Sequence, residues 1–452
     1  MDKEQAAQKR NAGVTPQQPE TEATKAAPAG GSASLPFPLP PTFPPGVNPE
    51  TYRIAEVTDL LRRAAYFSLF SIHNPGAPNQ VYTLPGNPNA LVGLRVNENT
   101  HRFDILVEMP GCGGGLRAVN EVGQLAAHVN IDWLVIPDGF YAAPDRQPPP
   151  TPLNPMQSQR FTMMNGSFTF VDSDGSGIRG FGSGRTFPGL SGSEPVLFIG
   201  ANIDALEGFG KLQGLHGNVV VNGFIQPPQN LFINVMMRVM DPDGCLLTNR
   251  RLTPLEPIPN PDPTSVFMTF LGEPDPDEPT TLNIGPDGRL TGSNVHERLR
   301  LVHIGFDLGR DDQGLRSRTE VGPVIAKLKT TLLFNPLDPV TPGTAEAPIP
   351  YQTRSGEFSF FDQNRQVFAT AAADIVEGRA FTTNLPGAPM PVFRMVGFGP
   401  LLSGTGTFQG ISGMLSMNGA VSVFPRTLSN LYVFRINDPD GRFRAAVRKS
   451  WS

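Results

Sequence analysis

Residues 404–419 read GTGTFQGISGMLSMNG, and residues 208–223 read GFGKLQGLHGNVVVNG. Both stretches belong to a longer match at a constant offset of 196, in which 195–223 and 391–419 align without a gap and ten of 29 positions are identical. This offset is far longer than the ~20–50 residues of solenoid repeats. The match therefore predicts a duplicated domain, with two similar modules in one chain.

Shorter matches on both sides extend the duplication. GSFTF at 166–170 corresponds to GEFSF at 356–360, and DPDG occurs at both 241–244 and 438–441. In the first pair, phenylalanine alternates with polar residues, as in a strand with one buried face. Pro-Asp-Gly occurs four times between strand-like runs. Because Pro sets φ and Gly accepts positive φ, we expect hairpin turns at these places.

The amino-acid composition favours strands and turns over long helices. The 452 residues include 48 Gly and 48 Pro, and only 17% are charged, compared with ~25% in typical globular proteins. Phenylalanine occurs 30 times, against 6 Tyr and 2 Trp, so we expect apolar interiors with few hydrogen-bonding groups. We therefore predict a mainly β protein of two tandem antiparallel barrels, because closing a sheet removes its unpaired edges.

The chain divides into a tail and two modules. Residues 1–47 are rich in Ala, Pro and Gln, and we expect a disordered tail that serves either as a solubilising leader or as a proline-rich docking segment. The first module spans 48–246 and has its barrel core at 160–246. The second module spans 247–452 and has its barrel core at 350–446.

Two short helices are predicted in the first module. Apolar residues recur at helical spacing between about 50 and 70, and again between 116 and 128. The second stretch follows GCGGG at 111–115, which we interpret either as a tight turn that starts the helix or as an anion-binding loop. The loop lacks the Lys-Ser/Thr pair of a Walker motif and the glycine spacing of a dinucleotide-binding motif.

Charge, cysteine and hydropathy patterns exclude several classes of function. The net charge is −5 and no run of Lys and Arg is interleaved with aromatics, so we expect no nucleic-acid binding. The first ten residues lack the apolar stretch of a signal peptide, and no window reaches ~18 apolar residues, so we expect a cytoplasmic protein without a membrane span. Two cysteines and six histidines without ligand spacing predict no metal site. A homo-oligomer is compatible with the sequence.

The stretch GTGTFQGISG at 404–413 resembles the Gly-Thr-Gly-x-Phe-x-Gly-x-x-Gly signature of the allene oxide cyclase and dirigent family of small β-barrels. The first copy keeps the glycines but has Phe209 and Leu212 in place of Thr and Phe. The resemblance implies eight-stranded barrels, each with a lumen for one apolar ligand. It also implies cofactor-free cyclisation or isomerisation of a small hydrophobic intermediate of polyketide, fatty-acid or terpenoid type. No catalytic residue of the family matches a position of this chain.

Two other functions fit the same barrels. A carrier of a small hydrophobic molecule needs the lumen but no paired titratable groups. A scaffold protein needs no lumen, because side chains such as phenylalanine can fill a small barrel. The volume of the lumen and the polar residues that line it decide among the three functions.

Polar residues retained in both copies are candidates for ligand binding. They are the arginines Arg185 with Arg379 and Arg238 with Arg435, and the amides Gln213 with Gln409 and Asn222 with Asn418. A guanidinium at a barrel mouth would hold a carboxylate or an enolate, and the alternative is a structural ion pair. The amides would either orient a bound carbonyl or satisfy the backbone groups of a bulge.

Three carboxyls that occur only in the first copy are the candidates for catalysis. Glu194, Asp204 and Glu207 correspond to Met390, Pro400 and Ser403. An apolar lumen would raise the pKa of such a carboxyl and make it a general acid or base. We therefore predict that catalysis, if the protein is an enzyme, occurs in the first barrel, beside Arg185 or Arg238. The alternative is that the three carboxylates lie in loops and face solvent.

Overall fold

The structure is a computed structural model. It describes residues 64–83, 92–109, 115–137, 159–171, 175–191, 194–226, 230–241, 244–248, 252–284, 290–308, 314–334, 348–383, 392–422 and 427–445. These residues lie in one compact unit and form nineteen β-strands with two three-residue 3₁₀ turns. No helix in this part of the chain is long and apolar enough to cross a membrane. The predicted tail at 1–47 lies outside the described residues.

The first half of the sheet consists of sequential antiparallel strands. They are β1 (Ala64–His73), β2 (Gln80–Thr83), β3 (Val92–Glu108), β4 (Arg117–Pro137), β5 (Gln159–Phe170), β6 (Gly177–Ser191), β7 (Glu194–Phe209), β8 (His216–Gln226) and β9 (Asn230–Met240). Each strand from β3 to β8 pairs with the next, and β1 pairs with both β3 and β9. These pairings form a closed circuit of eight strands, and β2 pairs with β3 at its edge.

The second half repeats this order. Its strands are β10 (Ser265–Pro274), β11 (Thr281–Ile284), β12 (Leu290–Asp307), β13 (Arg316–Phe334), β14 (Ile349–Phe361), β15 (Val367–Ala373), β16 (Glu377–Thr383), β17 (Val392–Thr405), β18 (Gly413–Ser422) and β19 (Thr427–Asn437). Here β10 pairs with β12 and β19, and the shorter strands β15 and β16 together take the place of β6. A pairing of Ile105 with Ile304 joins the halves into one antiparallel sheet.

Both predicted helices are wrong where the structure describes them. Residues 64–70 lie in β1, and residues 117–128 lie in β4. Residues 64–71 are buried on both faces of β1, so the apolar run shows no strand alternation. In β4 the pairing shifts register opposite His101, and such a bulge places apolar residues three to four apart. The rest of the first predicted helix, 50–63, lies outside the described residues.

The strand pairings extend beyond the segments predicted as barrel cores, 160–246 and 350–446. These segments contain β5–β9 and β14–β19, whereas β1, β3 and β4 and their counterparts β10, β12 and β13 belong to the same circuits. Sequence similarity between the copies is weak in these earlier strands, so the repeat in the sequence did not reveal them. GCGGG at 111–115 precedes the strand β4 rather than a helix, so it has no helix N-terminus with which to bind an anion.

The glycine-rich segment has the same structure in both copies. β7 and β17 lead into the 3₁₀ turns Gly210–Leu212 and Gly406–Phe408, and then into β8 and β18. Gly210 and Gly406 have φ values of 66° and 57°, which favour glycine. A Cβ on Gly404 would lie 2.3 Å from the carbonyl oxygen of Phe408. These glycines therefore serve the fold, and the two segments have the same order of strand, 3₁₀ turn and strand.

Amides retained in both copies connect the two halves. Asn222 Nδ2 donates to the carbonyl oxygen of Met414 at 3.3 Å, and Asn418 Nδ2 donates to that of Asn218 at 3.2 Å. Donor and acceptor are exchanged at the same offset of 196, so a pseudo-two-fold axis relates the two bonds. Both side chains are buried. Asn222 and Asn418 therefore satisfy backbone groups of the opposite half.

The segments that follow β9 and β19 obey the same symmetry. Ala118 of β4 makes two backbone hydrogen bonds, with Phe443 at 2.8 Å and with Ala445 at 3.0 Å. Ser317 of β13 makes the corresponding bonds with Leu246 at 2.7 Å and with Thr248 at 3.0 Å. Each half thus pairs its terminal segment with the other half, as in an interlocked dimer fused into one chain.

The two Asp-Pro-Asp-Gly motifs form turns, but not the predicted hairpins. Gly244 N donates to Asp241 O at 3.0 Å, and Gly441 N donates to Asp438 O at 3.1 Å. The carboxylates of both aspartates also accept hydrogen bonds from the backbone that follows. The turns direct the chain onto the other half instead of into a paired strand. The motifs at 137–139 and 286–288 lie partly or wholly outside the described residues.

Gly200 on β7 is a point of close contact between the halves. A Cβ there would lie 2.0 Å from the ring of the buried Phe398 on β17. We expect Gly200→Ala to lower the free energy of unfolding by about 1–3 kcal/mol, because overpacking pushes the strands apart. Urea denaturation measures this change. Gly76→Ala is the control, because a Cβ at Gly76 would meet only Asn74 Oδ1, at 3.4 Å. It should change the free energy of unfolding by less than ~0.5 kcal/mol. Equal effects of the two substitutions would contradict this packing.

Candidate ligand site in the second half

A cavity of about 260 Å³ lies within the second half. It is larger than the ~150 Å³ engineered cavity that admits benzene. Strands from around the circuit contribute alternate residues, because side chains on one face of a strand recur every second residue. The lining includes Ser293, Val295 and Glu297 on β12, Leu328, Thr330 and Leu332 on β13, Tyr351, Thr353 and Phe358 on β14, Phe393 and Met395 on β17, Leu415 and Met417 on β18, and Asn430 and Tyr432 on β19. The cavity is therefore inside the circuit and mainly apolar.

Glu297 brings a carboxyl group into this cavity. The Tyr432 hydroxyl donates to both carboxyl oxygens, Oε1 at 3.0 Å and Oε2 at 3.1 Å, and Asn430 Nδ2 donates to Oε1 at 2.9 Å. Glu297 is only 1% exposed. Gly272 on β10 leaves room for the carboxyl, since a Cβ there would lie 1.9 Å from Oε2.

Burial favours the protonated form of the Glu297 carboxyl. Burial raises its pKa to about 8, although hydrogen bonds from Tyr432 and Asn430 lower it. Burial, and next the charge of Glu297, raise the pKa of Tyr432 well above its ordinary value, so its hydroxyl stays neutral. The cavity thus holds a carboxylic acid that can donate a proton, with two groups that stabilise the carboxylate left behind.

Glu98 is the counterpart of Glu297 in the first half. It pairs with Val129 on β4 as Glu297 pairs with Leu328 on β13. Burial raises its pKa to about 7, and the hydrogen bond donated by Ser71 lowers it. Ser71 stands where the second half has Gly272. A buried carboxyl is therefore common to both halves, but its donors differ.

Bulky side chains occupy the matching interior of the first half. Trp133 and Met163 are opposite each other in the β4–β5 ladder, at the places of Leu332 and Thr353. Trp133 also packs edge-on against Phe161, with ring centroids 4.7 Å apart. These three side chains are buried. They take up space that Leu332 and Thr353 leave open in the second half.

Two of the carboxyls predicted for catalysis, Asp204 and Glu207, do not meet at one site. Asp204 is buried on β7 and pairs with Arg379 of the second half, with Oδ2 and Nη1 2.8 Å apart. Burial raises its pKa to about 6, although Arg379 lowers it. Glu207 is exposed and pairs with Arg179 at 3.2 Å. Of Glu194 only the backbone, at the start of β7, is described. Asp204 therefore joins the halves and Glu207 faces solvent.

The retained arginines Arg238 and Arg435 lie between the halves. Each is 1% exposed. Arg238 Nη1 donates to the carbonyl oxygen of Ser429 at 2.7 Å, and Arg435 Nη2 pairs with Asp262 at 2.8 Å. These contacts, together with the pair of Asp204 with Arg379, match the structural alternative for the arginines.

The remaining candidates lie elsewhere. Gln213 and Gln409 are exposed in the turns that follow the 3₁₀ segments, where their backbone N–H groups donate to Gly210 and Gly406, each at 3.1 Å. Arg185 is half-buried on β6, at the register position of Gly200. It thus occupies the place that Arg379 holds opposite Val396 in the second half.

Sequence reasoning missed Glu98 and Glu297. The signal in the sequence is a short Val-x-Glu match, at 96–98 and 295–297, in strands that otherwise differ between the copies. The sequence analysis looked for carboxyls that occur in only one copy. A carboxyl that is retained in both copies is not found by such a comparison. Only the three-dimensional surroundings separate Glu297 from a structural residue.

In comparisons with known proteins, no protein-family model matches the chain and no curated protein matches it. Within the described ranges, no three His, Cys, Asp or Glu side chains are grouped so that they could hold a metal ion. The polar groups that line the cavity include Glu297, Tyr432 and Asn430.

Proposed function

We propose that the cavity binds a small, mainly apolar molecule with an oxygen acceptor, and that Glu297 transfers a proton to it in a cofactor-free isomerisation or cyclisation. The observation that carries this proposal is the protonated carboxyl with two donor partners in a mainly apolar cavity. Ligand sites are typically apolar with a few convergent polar groups, and a pKa near the working pH suits a general acid. Polyketide-, fatty-acid- and terpenoid-like intermediates fit this chemistry.

We also infer that the two circuits of strands are tandem barrels of the allene oxide cyclase and dirigent type. The closed strand pairings, the position of the cavity inside the second circuit and the matching glycine segments support this inference. With Trp133 and Met163 in its interior, the first barrel fits the role of a filled scaffold. The second barrel is the one that receives the ligand.

The proton transfer needs no co-reactant. The O–H bond of Glu297 breaks as its proton bonds to a carbonyl oxygen of the ligand, and Tyr432 and Asn430 donate to the resulting carboxylate. The carboxylate then removes a proton from the carbon beside the protonated carbonyl, which forms the enol and restores the acid. Glu297 then protonates a conjugated enol at its distal carbon, or protonates an electrophilic carbonyl of the same molecule as the enol carbon attacks it. In both cases its carboxylate takes up the proton of the enol hydroxyl as the carbonyl re-forms, so the product is an isomer or a ring of unchanged composition.

Hydrogen exchange of a simple ketone tests this function. The wild-type protein is expected to bind 2-octanone and to accelerate the exchange of its α-hydrogens for deuterium in D₂O, which proton NMR follows. Glu297→Gln should keep the binding but slow the exchange ~10²-fold or more, because general acid–base catalysis contributes ~10²–10⁴-fold. Glu207→Gln, at an exposed carboxyl, is the matched control and should exchange at the wild-type rate.

Calorimetric titration of 2-octanone separates the competing functions. Binding without accelerated exchange in the wild type would contradict catalysis and favour a carrier. A wild-type protein that does not bind the ketone would favour a scaffold. Equal acceleration by wild type and Glu297→Gln would show that another group moves the proton.

A further inference from the structure

Arg394 is a buried charge outside the cavity. It lies on β17 between Phe393 and Met395, which line the cavity, so its side chain is on the opposite face of the sheet. Arg394 is 3% exposed, and its Nε and Nη2 have no hydrogen-bond partner among the described residues. A buried charge is strongly unfavourable unless an opposite charge or hydrogen bonds compensate it.

A second positive charge lies nearby. After burial, the charge of Arg238 is the cause that lowers the pKa of Arg394, to about 9. Arg238 donates to Ser429, and Ser429 continues the cross-strand row that runs from Arg394 through Ala420. Two buried guanidinium groups therefore approach the same row of the second half.

The corresponding row of the first half is aromatic. Phe198, Phe224 and Phe232 stand at the places of Arg394, Ala420 and Ser429. There the guanidinium of Arg435 lies 3.9 Å from the ring centroid of Phe224, while Asp262 pairs with its charge. In the second half, the guanidinium of Arg394 replaces the ring of Phe198, and the methyl group of Ala420 replaces the ring of Phe224. The aromatic surface of the first half is therefore a cationic surface in the second.

The unpartnered edge of Arg394 has the shape that an oxyanion requires. Through Nε and Nη2, Arg102 holds both oxygens of Asp104 at 3.1 and 2.9 Å. Arg95 uses the same two nitrogens with Asp132, at 2.8 and 3.4 Å. This planar pair of donors matches the oxygens of a carboxylate or a phosphate.

We propose that the protein binds a small oxyanion, a carboxylate or a phosphate, between its two halves, through Nε and Nη2 of Arg394. The anion compensates the positive charge of Arg394, which the neighbouring charge of Arg238 makes more unfavourable. It lies on the face of β17 opposite the cavity, so this site does not depend on the proposed reaction of Glu297. Because both halves contribute charge, the bound anion stabilises their association.

Equilibrium unfolding in inorganic phosphate tests this site. At constant ionic strength, adjusted with chloride, the denaturation midpoint of the wild type is expected to rise with the logarithm of the phosphate concentration, because the anion binds only the folded state. Arg394→Met should abolish this rise, since its side chain has no donor. A parallel series in acetate distinguishes a carboxylate site from one that requires a phosphate.

Two further variants make the result independent of how well Arg394→Met folds. Arg394→Lys keeps the charge but lacks the paired donors, so it should lose most of the response. Arg179→Met, at an exposed arginine that pairs with Glu207, should keep the wild-type response. A wild type that responds to neither anion, or Arg394→Met and Arg394→Lys responding like the wild type, would overturn the proposal.

Discussion

The wild-type protein is expected to lose stability with rising pH more steeply than Glu297→Gln does, between about pH 4.5 and 8. The pKa of Glu297 is 4.5 in the ordinary state and about 8 when folded, because burial disfavours the carboxylate. In this window the folded state keeps a proton that the unfolded state has released, so the free energy of unfolding falls by ~1.4 kcal/mol per pH unit. The total is on the order of 4–5 kcal/mol. This part of the free energy of unfolding has been lost completely once the pH has risen through the folded pKa.

Urea denaturation of both proteins at a series of pH values measures the difference. The variant removes the contribution of Glu297 alone, so the slopes due to other buried acids, such as Asp104, cancel in the comparison. Glu98→Gln is the matched control, because its carboxyl has a folded pKa of about 7 and should give a narrower window. Identical pH slopes for wild type and Glu297→Gln would mean that Glu297 titrates normally and is not confined in an apolar cavity.

The strand-rich class and the duplication were predictable from local sequence. The gapless match around Gly208 and Gly404 reflects a turn in which backbone geometry permits little but glycine, so the signal survives divergence. The same reasoning could not prevent the wrong prediction of two helices. Residues of β1 contact both the interior of their own half and the other half, so the run from 64 to 71 is buried on both faces and its apolar residues have no period of two.

Retention in both copies proved a poor guide to ligand contact. Asn222 and Asn418 each satisfy a backbone carbonyl of the opposite half, Arg238 donates to Ser429 of the second half, and Arg435 pairs with Asp262. A duplicated chain preserves contacts about its pseudo-two-fold axis as strictly as it would preserve a site. Sequence alone contains no signal that separates these two reasons, since both require buried polar groups with specific partners.

The two halves differ in the side chains that pack near the buried carboxyl that each of them contains. Glu98 and Glu297 are both buried, but Trp133 and Met163 stand in the first half at the positions that Leu332 and Thr353 hold in the second. Side-chain volume therefore decides which half is open. A comparison of acidic residues pointed to the first half, whereas a comparison of the sizes of lining residues, once the strand register is known, points to the second.

Leu332→Trp combined with Thr353→Met is expected to weaken the binding of 2-octanone ~100-fold or more, because these side chains give the cavity the interior of the first half. The cavity of about 260 Å³ provides room for them, so urea denaturation should remain cooperative, with a change within the ~1–3 kcal/mol of overpacking. Calorimetric titration measures the affinity. Leu402→Trp, at a side chain that is 55% exposed, introduces the same group outside the cavity and should leave binding unchanged. If the double variant folds and binds the ketone as tightly as the wild type, the ligand site lies elsewhere, and the acid chemistry assigned to Glu297 falls with it.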